Sequence, residues 1–570
     1  MSFAKGYRLK FSVASLSAIL LAVFSAARPA ILVIAVNDFS TTKDFKQLLN
    51  YVLLMLVVLL IEVLLQFTFI FYANWVGQNI ICDIRTKVFR HILTFKMSYF
   101  DKTSVGKLVT RVVSDVEAIS SFFTQGLFMI ISDILKMVAV AAVMLYINWR
   151  LALIALAVLP VLIYATKLFQ IAIKATFQEV RNQVANLNGF VQERITGMKI
   201  VQLFNRESIE YENFMQINNR QKRANVKTVW YYSIFFPIAE ILSSIAIGLI
   251  VWYGGFQIVE DNTVTIGAIV GFIKMAQMLF RPLRQIADKF NQLQMGIVAG
   301  ERVFKVLDTE SSIDKNGLIL ADNIQGAIEF KNVCFSYVKE EEVLKNVSFS
   351  VKKGQTVAIV GATGAGKSTI INLINRFYEI DSGTISVDKI PVEEYDIESL
   401  RHKIAVVLQD VFLFSDTILN NITLKDEQIT LEQVELAAKQ IGIHEFITSL
   451  PEGYYYKVKE RGAMLSSGQR QLIAFLRAYV TNPRVLILDE ATSSVDVHAE
   501  QMIQYATDKI TKERTSIIIA HRLATVKKAN QIIVMDNGEI VEQGTHKELL
   551  NRPNGYYKNL YKKQFSTQVA

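Results

Sequence analysis

Six long apolar runs fill the first half of the chain, at approximately residues 11–36, 48–76, 126–149, 151–173, 229–253 and 264–280. Most approach the ~20 residues that an α-helix needs to cross the hydrocarbon of a bilayer. The sequence therefore predicts a helical membrane domain. The second run is longer than the others, which fits a tilted helix or one that extends beyond the lipid. Runs three and four are parted only by a turn near Asn148 to Arg150, so they form a tight hairpin. The first run is too long for the apolar part of a cleavable signal, and no small-residue cleavage site stands out.

Lysine and arginine set the orientation. The segment after run two carries Arg85, Lys87, Arg90, Lys96, Lys102, Lys107 and Arg111, and the segment after run four is as basic. The other connections hold Lys43, Lys46 and Arg150, with nothing basic between 254 and 263. By the positive-inside rule, the N-terminus, both long segments and everything after Arg281-Pro282 are cytosolic. Both long segments are amphipathic at helical spacing, as in VFRHILTF, so the spans continue as helices into the cytosol. Each turns once, near MSYFDKTSVG and near LFNRESIEYENF.

This topology accounts for the net charge of +9, and no stripe of bases and aromatics points to nucleic acid. Cys82 and Cys334 both fall on the reducing side, so no disulfide is expected.

The second half reads as a soluble α/β domain organised on GATGAGKST. This stretch comprises Gly361, Ala362, Thr363, Gly364, Ala365, Gly366, Lys367, Ser368 and Thr369. It follows the strand-like TVAIV and precedes the helix-like IINLINRFY, the context of a phosphate-binding loop. Backbone N–H groups there close on a polyphosphate, and the helix N-terminus points positive charge at it. Lys367 is expected on the β- and γ-phosphates, and Ser368 on Mg²⁺.

Downstream, VLILDE reads as a buried strand that ends in two carboxylates. Asp489 is expected to reach Mg²⁺, and Glu490 to polarise the attacking water. LSSGQRQ opens an amphipathic helix whose start is an anion site or an ordinary cap; the residues alone leave both readings open.

In this order, the motifs resemble the ATP-binding cassette family, specifically exporter half-transporters of the multidrug and lipid A flippase branch. The resemblance covers nearly the whole chain. The family's usual LSGGQ signature is here Leu465, Ser466, Ser467, Gly468 and Gln469, and Ser467 keeps the backbone N–H that the third position offers. The resemblance implies that Gln409 contacts Mg²⁺ and water, and that His521 senses the γ-phosphate. It implies that Tyr337 stacks on adenine and that Ser494-Val495-Asp496 faces the opposite cassette. Glu460 falls where exporters contact the membrane domain. Tyr337 also reads as an ordinary strand aromatic, His521 as a surface histidine and Gln409 as a turn cap.

The implied fold is an α-helical six-helix transmembrane domain (1–310), a linker (311–327) and a cytosolic α/β P-loop nucleotide-binding domain (328–570). The implied activity is ATP hydrolysis that drives an amphipathic, drug-like or lipid-like substrate outward by alternating access, in a bacterial inner or plasma membrane. One chain supplies half of each ATP site, so a second half-transporter is required. A homodimer is the first reading; a heterodimeric multidrug exporter and an exporter-fold importer are the alternatives. Glu490 argues against a sensor that has lost its catalytic base. In relatives, turns near 97–101 and 203–212 are the helices that dock on the cassettes, near Gln409.

Charges inside the membrane runs are costly and face a cavity or a partner. Here they are Arg28, Glu62, Asp133, Lys136, Lys167, Glu240 and Lys274. Asp133 and Lys136, at i and i+3, are positioned to neutralise each other. Glu62 and Glu240 suit pairing between helices or contact with cargo. Aromatic residues of run five (Trp230, Tyr231, Tyr232, Phe235, Phe236) suit an apolar cargo or an interfacial belt.

Overall fold

The computed structural model describes residues 6–260, 264–311, 317–490, 497–520 and 522–565. The chain forms two compact units, residues 1–93 with 104–310, and residues 94–103 with 311–570.

In the first unit, six helices are long and apolar enough to cross a membrane: Arg8–Thr42, Phe45–Ile92, Val105–Ile147, Trp149–Thr196, Glu207–Val259 and Ile266–Leu283. The sixth continues through Pro282 to Leu307 as one helix. Half of the sixth span's apolar window is buried within the chain, against 6% for the second. The sixth is therefore a core helix, while the second leaves its leucines to the surroundings. The core joins Val140 and Met144 to Leu151, Ala155 and Leu162, and these to Ala246, Ile250, Phe272 and Met275. Alanines at these contacts let the helix backbones approach. The tight hairpin follows from Asn148, whose Oδ1 accepts hydrogen bonds from the N–H groups of Arg150 and Leu151, both at 3.1 Å. This caps the fourth span.

Three of the intramembrane charges, Arg28, Glu62 and Asp133, have ion-pair partners on other helices. Arg28 pairs with Glu62 at 3.3 Å, joining the first two spans. Asp133 pairs with Lys289 of the sixth helix at 2.6 Å. That corrects the expectation that Asp133 is matched by Lys136. An ammonium on another helix makes the closer contact than one three residues along the same face.

The second unit contains two sheets. The strands are β1 (Ile328–Val338), β2 (Glu341–Val351), β3 (Thr356–Gly361), β4 (Ser382–Val387), β5 (Ile390–Pro391), β6 (Ile404–Val407), β7 (Val485–Glu490), β8 (Thr515–Ala520), β9 (Gln531–Asp536) and β10 (Glu539–Gly544). The smaller sheet is antiparallel, in the order β2-β1-β4-β5. The larger is β10-β9-β3-β8-β7-β6, parallel except for β10. Its central strands read as continuous apolar runs because both faces are covered; every residue of β8 is buried.

Residues 317–327 pack on this unit. Ile319 bridges Tyr395, the Ala321 N–H donates to Ser399 Oγ at 3.1 Å, and Ala321 and Ile324 are buried. The short helix Met97–Lys102 belongs here too. Tyr378 Oη donates to Asp101 Oδ2 at 2.6 Å, and Lys96 Nζ lies 2.9 Å from Glu379 Oε1.

Candidate nucleotide site

In a parallel sheet the C-terminal ends of the strands share one edge, and ligands bind there. Here that edge gathers the phosphate loop after β3, Gln409 after β6, and Asp489 and Ile519 at the ends of β7 and β8. The register sets Ile359 beside Ile519, and Ile519 beside Asp489.

After β3 the chain makes the loop and then the helix Lys367–Ile374. Gly364 and Gly366 have φ of 85° and 93°, a left-handed conformation that favours glycine. A Cβ on Gly366 would also come within 2.7 Å of Leu344 Cδ2 and 3.1 Å of the Val343 carbonyl oxygen.

Lys367 is 8% exposed. Its Nζ donates to the carbonyls of Gly361 and Ala362, at 2.9 and 2.8 Å. An ammonium has three N–H groups, so the loop holds the amine in place and leaves a donor for a phosphate. Burial lowers the affinity of Lys367 for its proton, and the nearby Asp489 opposes that shift. Ser368 Oγ donates to Asp489 Oδ2 at 3.3 Å. A cavity of about 340 Å³ is lined by Thr363, Gly364, Lys367 and Ser368, with Gln409, Asp489 and Ile519 on its other walls. A hydroxyl, a carboxylate and an amide that meet there are hard oxygen donors of the kind Mg²⁺ takes, with water and phosphate completing its shell.

Tyr337 is the last residue but one of β1 and is 38% exposed. Its hydroxyl donates to Thr369 Oγ1 at 3.3 Å and accepts from Asn372 Nδ2 at 3.1 Å, which ties it to the helix after the phosphate loop. Tyr378 meets it edge-on, with ring centroids 5.1 Å apart. Sequence reasoning missed Asn372, Tyr378 and Val343, because none sits in a motif. The FSYV strand that carries Tyr337 was the one available signal.

The signature lies apart from this cavity. Leu465 is buried. Ser466 caps the helix Ser467–Val480, its Oγ accepting from the Gln469 N–H at 3.2 Å while Gln469 Oε1 accepts from the Ser466 N–H at 2.9 Å. None of residues 465–469 lines the cavity. Glu490 closes β7, paired with Ala520. Asp496, Ser494, Val495 and His521 lie outside the described residues, as does the side chain of Glu490.

Comparison with known proteins follows the same division. Residues 11–283 match the ABC transporter transmembrane region, and residues 344–493 match the ABC transporter family. An ATP-dependent lipid A-core flippase of Haemophilus influenzae is 38% identical over 494 residues, 86% of this chain and 84% of that protein. An uncharacterized ABC transporter ATP-binding protein of Bacillus subtilis, YknV, is 36% identical over 87% of this chain and 82% of its own length. A putative multidrug export ATP-binding/permease protein of Bacillus subtilis, YgaD, is 34% identical over 100% of this chain and 98% of its own. The chain belongs to the ATP-binding cassette transporter family, as an exporter half-transporter: a multi-pass membrane protein whose cytosolic cassette hydrolyses ATP to drive transport.

Proposed function

We propose that two copies of this chain pair as a homodimer that moves an amphipathic, lipid-like or drug-like molecule from the cytosol or inner leaflet outward. The observation that carries the reading is one cavity lined by Lys367, Ser368, Gln409 and Asp489 in a chain with six membrane-spanning helices. The names of the relatives, a lipid A-core flippase and a putative multidrug exporter, support the cargo class. The separation of residues 465–469 from that cavity supports a site completed by a second chain.

In this mechanism the phosphate loop and Lys367 hold ATP. Tyr337 stacks on the adenine, and the signature residues 465–469 of the partner cover the γ-phosphate. Ser368, Gln409 and Asp489, which line one cavity, would hold Mg²⁺, and the bound ion would supply positive charge for the phosphate oxygens. Glu490 takes the proton of the attacking water, with His521 on the γ-phosphate and Asp496 facing the partner cassette. ATP favours the closed pair of cassettes, so its binding shifts the membrane helices toward the outward-open state, and hydrolysis returns them.

The test is ATPase activity of the purified chain in lipid nanodiscs, beside Glu490→Gln. The expected result is robust turnover in a dimeric particle, lost by a factor on the order of 10² or more in the variant. A dimer without turnover, or a monomer, would replace the homodimer with a pair that needs a different second half.

A further inference from the structure

The parallel sheet of the cassette has a second edge, where its strands begin. There Val485 of β7 pairs with Thr515 of β8. The residues just before them are Arg484 and Arg514, so the register that aligns Asp489 with Ile519 at one edge sets two arginines at neighbouring positions at the other. Both line a cavity of about 500 Å³. Lys509 and Lys512, from the end of the helix Val497–Ile510 and the turn after it, line it too, against one carboxylate, Glu513. Among the described residues, none of these cations has an ion-pair partner. The neighbouring Asp508 is held by Lys528 at 2.6 Å.

A helix C-terminus favours nearby cations, which accounts for Lys509 and Lys512. It does not account for how Arg514 is held. Its Nη1 donates to the Ile510 carbonyl at 3.0 Å and its Nη2 to Asn482 Oδ1 at 2.9 Å, and the guanidinium lies 4.7 Å from the centroid of the Tyr479 ring. Tyr479 is fixed in turn, its hydroxyl donating to Gln440 Oε1 at 2.9 Å. These bonds use two of the five N–H groups of Arg514, so the fork is set in place with donors to spare. Glu513, just before it, has φ of 65°, and backbone strain of this kind gathers at binding sites. Burial disfavours the charge on Arg514, Tyr479 favours it, and Arg484 disfavours it again. An anion between the two arginines would relieve that repulsion. A guanidinium fork beside ammonium groups is a donor set for phosphate oxygens. One phosphate group carries about −2 at most at neutral pH, less than the positive charge gathered here. The rings of Tyr479 and Tyr505 already carry Arg514 and Lys509, so the cavity offers charge and not a stacking platform for bases.

We propose that this cavity binds a compact cytosolic anion that carries two or more phosphate groups. Arg514 and Arg484 grip one phosphate group, and Lys509 and Lys512 balance the rest. The site stands apart from the cargo and from the pairing of chains. Along β7, four residues separate Val485 from Asp489, about 13 Å of strand between this cavity and the nucleotide site.

The test uses the full chain in lipid nanodiscs, its phosphate loop filled by excess Mg²⁺ and a non-hydrolysable ATP analogue. Inorganic tripolyphosphate is titrated in by calorimetry. One saturable site per chain is expected. Arg484→Gln with Lys512→Gln, both exposed side chains, is expected to weaken binding on the order of tenfold or more. Lys352→Gln with Lys353→Gln removes the same charge from another exposed part of the cassette and is expected to change binding by about twofold or less. Should the first double variant fail to fold, Lys512→Gln alone is read the same way, with a smaller loss.

Absence of binding once the phosphate loop is filled overturns the proposal, because the anion would then belong to the nucleotide site. An equal loss in the two double variants overturns it as well, since the effect would be one of net charge. Hexaglutamate in place of tripolyphosphate tests the chemistry. Binding of equal strength would assign the cavity to the carboxylates of an acidic peptide and overturn the phosphate reading. Arg484, Lys512, Lys352 and Lys353 do not line the nucleotide cavity, so basal ATP turnover is expected to be unchanged in every variant. Lost anion binding beside intact turnover then reports on this cavity and not on a damaged cassette.

Discussion

Lys367 and Gly366 are adjacent and depend on the same loop for different reasons. The buried amine is fixed by two carbonyls of its own loop, and the glycine supplies the backbone angle that brings those carbonyls round. Lys367→Ala removes the charge that the proposed mechanism places on the phosphates while leaving the β3 packing untouched. ATP turnover is expected to fall on the order of 10²-fold with the thermal midpoint held or raised, since a desolvated amine is lost. Steady-state hydrolysis beside a melting curve reads both. Gly366→Ala fails differently. The new methyl must adopt a positive φ against Leu344 and the Val343 carbonyl, a strain of roughly 1–3 kcal/mol. Lower stability together with weaker ATP binding is expected, and calorimetry with a nucleotide analogue separates it from the lysine variant.

Among the elements, the short helix Met97–Lys102 is held to β1 and the helix after the phosphate loop through side chains. Asp101 accepts from Tyr378, and Tyr378 meets Tyr337 edge-on. Burial and the hydrogen bond to Asp101 both raise the pKa of the Tyr378 phenol, so it stays a donor throughout the neutral range. Tyr378→Phe and Asp101→Asn in a double-mutant cycle should show a coupling of about 1 kcal/mol or less, since the contact is exposed. Additive effects would count against the contact.

A second element responds to pH. His546 opens the helix His546–Asn551, lies 2.7 Å from Tyr557 Oη, and packs against Tyr561. Burial lowers its pKa from the ordinary 6.5, and Lys527 lowers it further. The unfolded chain therefore binds the proton first, so stability present above about 6.5 is lost as pH falls through that value toward the lower folded pKa. Hydrogen-exchange protection of the helix Tyr556–Phe565, after correction for the intrinsic exchange rate at each pH, should fall between pH 7.5 and 5.5, and His546→Gln should flatten that response.

The elements themselves were legible because each is written in a local period. The six apolar runs match the six spans, the third and sixth overrunning theirs by two residues, and TVAIV followed by a glycine loop is β3 and its helix. What joins elements was not legible. Asp101 and Tyr378 are 277 residues apart, and Asp133 and Lys289 are 156 apart. The local i, i+3 rule pointed Asp133 at Lys136 instead. No local pattern encodes which distant side chain arrives, because that depends on how whole helices pack. The cavity walls supplied by Val343 and Asn372's hold on Tyr337 were hidden for the same reason.

For the whole molecule, the separation of the signature from the phosphate loop decides how subunits must cooperate. Mixing a Lys367→Ala chain with a Gly468→Asp chain tests this. Each is expected to be inactive alone. If the signature acts across the dimer, the mixed pair has one intact site, and random pairing restores roughly a quarter of the sites. If each chain served its own site, mixing would restore nothing.

The division of the chain also limits how such a transporter can be rebuilt. Residues 94–103 are inserted between the second and third membrane helices in sequence, yet they belong to the compact unit of residues 311–570. A chimera spliced once, after Glu310, would give the incoming cassette a foreign Lys96 and Asp101 to meet at Glu379 and Tyr378. Grafting this cassette onto another transporter needs two cuts more, so that the loop travels with it. An exchange of the motor is then an exchange of two pieces, and a family tree drawn from residues 344–493 alone would miss the smaller one.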